Sequence, residues 1–326
     1  MPKPRVLATR PLFPAAQQIL NASCEVDYWT QAERISKEEL LRRVKDKEGL
    51  VCLLTERVNE ELLRAAPKLR IAANVAVGFD NIDLAACTKR SVVATNTPGV
   101  LDETTADFAW TLMLAVARRL VEGDQLARSG TWKGWDLDQL VGADVWGKTL
   151  GVVGFGRIGR AVARRAAGFQ MKVLYTDAIR APLDIETGLK AEYQDLNTLL
   201  GESDFVSLHV PLLAETRGMF DVAKFSRMKP SAFLINTSRG PVVDEAALVH
   251  ALESKKIAGA ALDVYEDEPF IQAGLKRPNV VLAPHIASAS VATRTKMAVI
   301  AAENVVALLK GNRPPNILNP EALKGI

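Results

Sequence analysis

A turn built on three glycines near the middle of the chain constrains the fold more than any other feature. The run Gly151-Val-Val-Gly154-Phe-Gly156-Arg-Ile-Gly159 carries an apolar stretch, 150–153, straight into the spacing G-x-G-x-x-G. Apolar residues at helical spacing follow, at Ile158, Ala161, Val162 and Ala166. Strand, tight turn and helix in that order are the context in which this spacing marks a dinucleotide site. Gly154 permits the sharp turn, Gly156 removes the side chain that would hold a pyrophosphate off the backbone, and Gly159 lets helix and strand approach. The helix N-terminus then offers unpaired N–H groups to phosphate, which makes Arg157 and Ile158 candidates beside the glycines. Asp177 closes the next apolar run, 172–176. An acid there binds the adenosine ribose hydroxyls and repels a 2′-phosphate, which favours NAD. Arg180, three residues on, leaves NADP open.

Composition excludes several function classes. The chain has 326 residues, enough for two domains, with 48% hydrophobic and 24% charged residues. Its net charge of +3 is small and spread out, so nucleic acid is not an expected partner. Cys24, Cys52 and Cys87 show no metal-ligand spacing and read as reduced thiols of a cytoplasmic protein; no metal is expected. The N-terminal residues 5–9 read as a first strand rather than a signal peptide. No apolar stretch reaches 18 residues, so no membrane span is expected.

Short apolar runs alternate with helical patterns through the first hundred residues. Strands are expected at 6–8, 24–28, 50–54, 70–73 and 92–94, and helices at 14–20, 36–44, 59–66 and 83–89. That alternation argues a parallel sheet covered on both faces. Thr97-Pro98-Gly99 breaks it, and one long helix is expected over 104–122. The segment 129–147 holds Trp132, Trp135 and Trp146 with little periodicity, as a functional or partner-binding loop would. A second series of strands follows at 150–153, 172–176, 205–209, 232–235, 258–263 and 280–282, then a last helix over 291–309. The economical reading is a split first domain that the chain leaves near Pro98 and rejoins near Ala287, with a ligand cleft at the crossing.

With three histidines, elimination is possible. His250 sits among the apolar residues of a helix. His209 ends a strand before Val210-Pro211, where its backbone is expected to line the cofactor edge. His285 follows the run 280–284 and precedes small residues, on a turn at a strand end, where open α/β sheets place ligands. A hydride transfer to a ketone needs a proton donor, and histidine suits neutral pH. A carboxylate on its other nitrogen would fix the tautomer. Asp263, Glu266, Asp267 and Glu268 cluster in Leu262-Asp-Val-Tyr-Glu-Asp-Glu-Pro269, and composition does not choose among them. Arg239, in Asn236-Thr-Ser-Arg-Gly240 after a buried strand, suits bidentate recognition of a substrate carboxylate.

These residues resemble the D-isomer-specific 2-hydroxyacid dehydrogenase family. The matching stretches are Asn74-Val-Ala-Val-Gly-Phe-Asp-Asn-Ile-Asp83, the glycine turn, Asn236-Thr-Ser-Arg-Gly-Pro-Val-Val-Asp-Glu245, Leu262 to Pro269, and Ala283-Pro-His-Ile-Ala-Ser288. The resemblance implies an α/β fold of two doubly wound, Rossmann-like domains. A split, flavodoxin-like substrate-binding domain (1–99 and 287–326) would surround an inserted NAD(P)-binding Rossmann domain (100–286). It implies Arg239 as carboxylate binder, Glu268 as partner of the histidine and His285 as acid/base. It adds the Val77 and Gly78 amides and Leu53 on the substrate side. Thr105, His209, Val210, Pro211, Thr237 and Asp263 would line the cofactor with Gly154, Gly156, Arg157, Ile158, Gly159 and Asp177. The helix after Thr104 and the tryptophan loop look like the family's dimer-forming insertion, with Trp135 reaching the partner subunit's active site.

Within the family, the stretches around Leu53, Val75 to Asn81 and Trp132 to Gly147 look most like glyoxylate/hydroxypyruvate reductases, relatives of which also reduce 2-ketogluconate. The expected ligands are therefore a small 2-oxo or 2-hydroxy acid with NAD or NADP. Many such reductases carry Ser-Arg where this chain has Asp177-Ala178 and prefer NADP, so the chain departs from them here. Two rival readings are an NAD-sensing, corepressor-like interaction protein and a phosphite dehydrogenase-like oxidoreductase. The first lacks an appended tail here, and the second carries lysine where Val77 stands.

Overall fold

The computed structural model describes residues 2–325. In chain order the first elements are β1 (Arg5–Ala8), α1 (Pro14–Ser23), β2 (Glu25–Tyr28), α2 (Lys37–Arg43), β3 (Gly49–Cys52), α3 (Glu60–Ala65), β4 (Ile71–Asn74), α4 (Leu84–Lys89) and β5 (Val93–Thr95). Next come α5 (Asp102–Ala117), α6 (Leu120–Arg128), β6 (Thr149–Val153), α7 (Arg157–Ala166), β7 (Lys172–Thr176), α8 (Leu183–Leu189) and β8 (Ala191–Tyr193). The series closes with α9 (Leu196–Glu202), β9 (Phe205–Leu208), α10 (Val222–Arg227), β10 (Phe233–Asn236), α11 (Glu245–Glu253), β11 (Gly259–Leu262), β12 (Val280–Leu282) and α12 (Val291–Leu309). The chain divides into two compact units, Met1–Leu101 with Ala289–Ile326, and Asp102–Ser288.

The first unit is a parallel sheet in the order β2-β1-β3-β4-β5, the flavodoxin-like winding. Strands β3, β4 and β5 are buried along their whole length, which is why their sequences run apolar without alternation up to the terminal Asn74 and Thr95. Ser36, Asn59 and Asp83 start α2, α3 and α4 by accepting the N–H three residues on. On one face, Ala298, Ala301, Ala302, Val305 and Leu308 of α12 pack with Ala16, Leu20, Val51 and Ile71.

The second unit is a parallel sheet in the order β12-β11-β10-β9-β6-β7-β8. Winding reverses between β6 and β9, whose register pairs Val153 with Leu208. That reversal is the switch point where doubly wound sheets bind dinucleotides. The two faces carry separate cores. One holds Trp110, Met113, Val152, Phe155 and Tyr175, the other Leu199, Leu208, Phe220, Leu234 and Leu248.

Two local expectations are corrected. The pattern over 104–122 predicts one helix, but α5 ends at Ala117 and α6 starts at Leu120, with Arg119 left-handed between them at φ 51°. The Ala117 carbonyl accepts the Ala143 N–H at 2.8 Å, and Gly142 lies against it, where a Cβ would come within 2.3 Å of that oxygen. The loop after α6 thus competes for the carbonyl that would have continued the helix. Strand β8 is absent from the sequence reading: it is three residues long at the sheet edge, with Glu192 and Tyr193 exposed, too short to carry a period.

Candidate active site

The glycine turn is shaped by its neighbours. Gly154 has φ 93°, and a Cβ there would lie 2.7 Å from the His209 carbonyl carbon and 2.8 Å from the Val210 nitrogen. The turn after β6 is therefore pressed against the 209–211 turn after β9. Gly159 sits where a Cβ would meet the Gly154 carbonyl oxygen at 2.0 Å, so α7 can approach β6 only through glycine. Gly156 differs: nothing lies within 4 Å of its would-be Cβ, and as N-cap of α7 it makes no side-chain cap bond. The space above it is open, and Arg157 and Ile158 begin the helix there with no side chain capping it.

Asp177 ends at this turn. Its Oδ2 accepts the Phe155 N–H at 2.5 Å, tying the end of β7 to the glycine loop. Arg180 is committed elsewhere: its Nε and Nη2 donate to Glu186 at 2.8 and 3.0 Å. That arginine, with the Tyr175 hydroxyl, pulls the Glu186 carboxyl down to about 2. Thr105 is buried on α5. Thr237, buried after β10, has a hydroxyl with no partner among the described residues. Open space at Gly156, an uncapped helix end, an acid at the second strand end and an orphaned buried hydroxyl together fit a nicotinamide dinucleotide.

The chemistry-bearing residues come from three adjacent strand ends. β10, β11 and β12 are in register, with Asn236 opposite Leu262 and Leu262 opposite Leu282. Beyond β10, Asn236 organises the turn: its Oδ1 accepts from the Ser238 N–H and hydroxyl, and its Nδ2 donates to the Arg239 carbonyl at 3.1 Å. Gly240 lets this turn touch the next loop, since a Cβ would overlap the Tyr265 carbonyl at 1.8 Å. Arg239, half-buried, is delivered from this turn.

Beyond β11, the acidic run separates into distinct tasks. Asp263 is fully buried and accepts the Ile286 and Ala287 N–H groups at 2.7 and 2.8 Å, while its backbone carbonyl accepts the His285 N–H at 2.9 Å. Burial raises its carboxyl, and the two N–H groups oppose that rise. Three successive N–H groups thus close on one aspartate and hold His285 at φ 56°, a backbone region costly for a residue with a Cβ. Glu268 is the carboxylate that reaches the ring, with Oε2 2.9 Å from His285 Nδ1. Its Oε1 accepts the Tyr265 N–H at 3.2 Å. Burial alone would raise Glu268, but the hydrogen bond and charge of His285, the Tyr265 N–H and the charge of Arg239 together outweigh it and hold the carboxyl below the ordinary range. A glutamate carboxylate on Nδ1 leaves Nε2 as the ring nitrogen for outside chemistry.

Glu245 and Tyr265 support this pair, and the sequence pattern does not single them out. The buried Glu245 accepts the Glu266 N–H at 2.6 Å, and the Tyr265 hydroxyl donates to the Ala283 carbonyl at 2.9 Å. In sequence Glu245 reads only as an acid in the first turn of α11, and nothing in the pattern signals its reach to the loop. His209 is different from His285. Burial pushes its imidazole down to about 3, and its Nε2 lies 2.8 Å from the Ser207 hydroxyl.

In the first unit, Leu53, Val77 and Gly78 follow β3 and β4. The Leu53 N–H donates to Glu56 at 2.7 Å, and its carbonyl accepts from Asn81 at 3.0 Å. The cysteines are free and buried, and burial pushes the Cys87 thiol up to about 12. Among the described residues no cluster of His, Cys, Asp and Glu could hold a metal, and no helix is long and apolar enough to cross a membrane.

Comparison with known proteins extends this geometry. Residues 110–287 match the family model "D-isomer specific 2-hydroxyacid dehydrogenase, NAD binding domain". The chain is 52% identical over 325 residues to the glyoxylate reductase of Korarchaeum cryptofilum, covering 99% of this chain and 98% of that one. A crystal structure of a Thermus thermophilus protein superposes with a TM-score of 0.90 at 43% identity, covering 96% of this chain and 99% of the other. The NADPH-dependent glyoxylate/hydroxypyruvate reductase of Sinorhizobium meliloti, solved with NADP and malonate, gives 0.86 at 34% identity, with 98% of both chains covered.

Proposed function

The chain belongs to the D-isomer-specific 2-hydroxyacid dehydrogenase family, and on that footing we propose that it reduces glyoxylate or hydroxypyruvate, with 2-ketogluconate a larger candidate, to the 2-hydroxy acid. It is an NAD(P)-dependent oxidoreductase. The observation that carries the reading is the Glu268 carboxylate 2.9 Å from His285 Nδ1.

The glycine turn, Asp177, Thr237 and the 209–211 turn would hold the cofactor, whose reduced nicotinamide supplies the hydride when bound. Arg239 orients the substrate carboxylate through its guanidinium fork, and the Val77 and Gly78 amides and Leu53 serve the substrate as well. His285 gives its Nε2 proton to the oxygen of the carbonyl being reduced, and Glu268 stabilises the charged imidazole before the transfer. Asp177 supports a preference for NAD over NADP, and the engagement of Arg180 with Glu186 works in the same direction.

His285→Ala should lower kcat by about 10²–10⁴-fold while the Kd for NADH stays within a factor of two or so of wild type. A kcat near wild type would overturn the assignment. Steady-state rates for the three 2-oxo acids with NADH and NADPH rank the substrates and cofactors.

The quaternary proposal is a homodimer. Leu120, Val121, Trp132, Trp135, Leu137, Val141 and Trp146 are all exposed large apolar side chains on α6 and the loop after it. Exposure of that order supports cover by a second copy. Sedimentation equilibrium of the wild type checks it, and a monomer at micromolar concentration refutes it. Buried free thiols fit a reducing compartment, so the proposed location is the cytoplasm.

A further inference from the structure

Three consecutive carbonyls after β4 are each held from behind. Ala76 C=O accepts the Thr97 N–H at 2.9 Å. Val77 C=O accepts Asn96 Nδ2 at 2.8 Å, and Gly78 C=O accepts Asn74 Nδ2 at 2.8 Å. Both asparagines are buried, Asn74 completely. By contrast, the N–H groups of Val77 and Gly78 meet no acceptor among the described residues, and both residues are half-buried rather than covered.

The planar trans peptide links these facts. In each unit the carbonyl of one residue and the N–H of the next lie in one plane and point in opposite directions. Fixing the Ala76 carbonyl therefore aims the Val77 N–H, and fixing the Val77 carbonyl aims the Gly78 N–H. Asn74 closes the far end by holding the Gly78 carbonyl. Asn74 is itself braced, since its Nδ2 also donates to Asn81 Oδ1 at 3.1 Å. Asn81 in turn donates to the Leu53 and Glu56 carbonyls, each at 3.0 Å. The result is a pair of outward N–H groups on a loop whose opposite edge is fully hydrogen-bonded, which is how a backbone receives a carboxylate.

We infer that Asn96 is a positioning residue for carboxylate recognition: by holding the Val77 carbonyl it aims the Gly78 N–H at the carboxylate of the 2-oxo acid. Asn74, one peptide further on, fixes the Gly78 carbonyl and with it the end of the loop beyond the two N–H groups. The inference rests on the proposed function, in which Val77 and Gly78 receive the substrate. Neither asparagine touches the substrate, so their removal acts on affinity for the carboxylate more than on turnover.

The test uses the full chain saturated with NADH and titrated with oxalate, a two-carbon dicarboxylate that cannot be reduced. Asn96→Ala deletes the donor. Asn96→Asp keeps the shape and sets an acceptor against the Val77 carbonyl. Losing one positioning hydrogen bond weakens oxalate binding by about tenfold in Asn96→Ala, and by more in Asn96→Asp. KM for glyoxylate rises in the same order, kcat changes less and the Kd for NADH stays at the wild-type value, while the unfolding midpoint of Asn96→Ala falls by no more than one lost buried hydrogen bond explains. Wild-type oxalate affinity in both folded variants overturns the role of Asn96 and leaves the proposed function standing. Loss of NADH affinity in parallel with oxalate affinity overturns it too, by making Asn96 a general structural residue. A wild-type chain that binds no oxalate overturns the carboxylate reading of Val77 and Gly78 and the inference with it.

Discussion

Two glycines of one motif should fail in opposite ways when given a methyl group. At Gly154 the backbone has φ 93°, and a Cβ would lie 2.7–2.8 Å from three backbone atoms of His209 and Val210. The left-handed conformation alone costs a residue with a Cβ about 1–2 kcal/mol. Forcing backbone apart in a packed region adds about 1–3 kcal/mol. Gly154→Ala should therefore lose about 2–5 kcal/mol, a fall in unfolding midpoint of roughly 5–15 °C for a unit of this size. At Gly156, φ is −71° and no atom lies within 4 Å of the would-be Cβ. Alanine there loses a little as an N-cap and gains a little by restricting the unfolded chain, so stability should move by less than about 1 kcal/mol. The methyl group instead occupies the space where a pyrophosphate would approach, and NADH affinity should fall about tenfold or more. Thermal unfolding is followed without cofactor, because a bound ligand would stabilise the fold by mass action. NADH binding is read from quenching of tryptophan fluorescence. The reasoning is refuted if Gly156→Ala melts as early as Gly154→Ala, or if it binds NADH as wild type does.

Replacing Asp177 with Ser removes a charge from the turn that would face a 2′-phosphate, and the ratio of kcat/KM for NADPH over NADH should rise about tenfold. An unchanged ratio in steady-state assays removes Asp177 from cofactor choice. Glu186 is held at about 2 by Arg180 and Tyr175. A depressed carboxyl contributes stability that is complete above its unfolded value of 4.5 and is lost as pH falls from there toward 2. The unfolding midpoint of Glu186→Gln should therefore fall less steeply than wild type as pH drops below about 4.5. Equal slopes in the two chains would sink that account. Glu245→Ala strips the acceptor from the Glu266 N–H. It should cost about 1–3 kcal/mol in denaturant titration and lower kcat, while Glu245→Gln, which keeps an acceptor, should recover most of both. Failure of the glutamine to do better than alanine argues against the hydrogen bond as the cause.

The legible parts of this molecule are those where one residue type answers a local demand. Parallel strands buried on both faces run apolar, and β3, β4, β9, β10 and β11 do so except at Asn74, Ser207 and Asn236. A turn pressed against a neighbouring backbone must be glycine, and Gly154, Gly159 and Gly240 are so pressed. Elimination among three histidines singles out His285, and the structure places a carboxylate on its Nδ1. The identity of that carboxylate is not legible in the same way. Four acids lie within six residues, and spacing gives no reason to prefer one. What separates them is three-dimensional: Asp263 turns inward to two N–H groups, while the Tyr265 N–H holds Glu268 toward the ring. The same limit hides Asn74 and Asn96. An asparagine between a strand and a glycine reads as a turn former, and only the fold reveals that its amide nitrogen reaches a carbonyl 19 positions away in the case of Asn96. Long-range polar contacts of this kind leave no period and no spacing, yet each sets the direction of a peptide plane. Residues that would contact ligand are thus partly readable from the chain alone, whereas those that aim them become visible only once the strand ends are brought side by side.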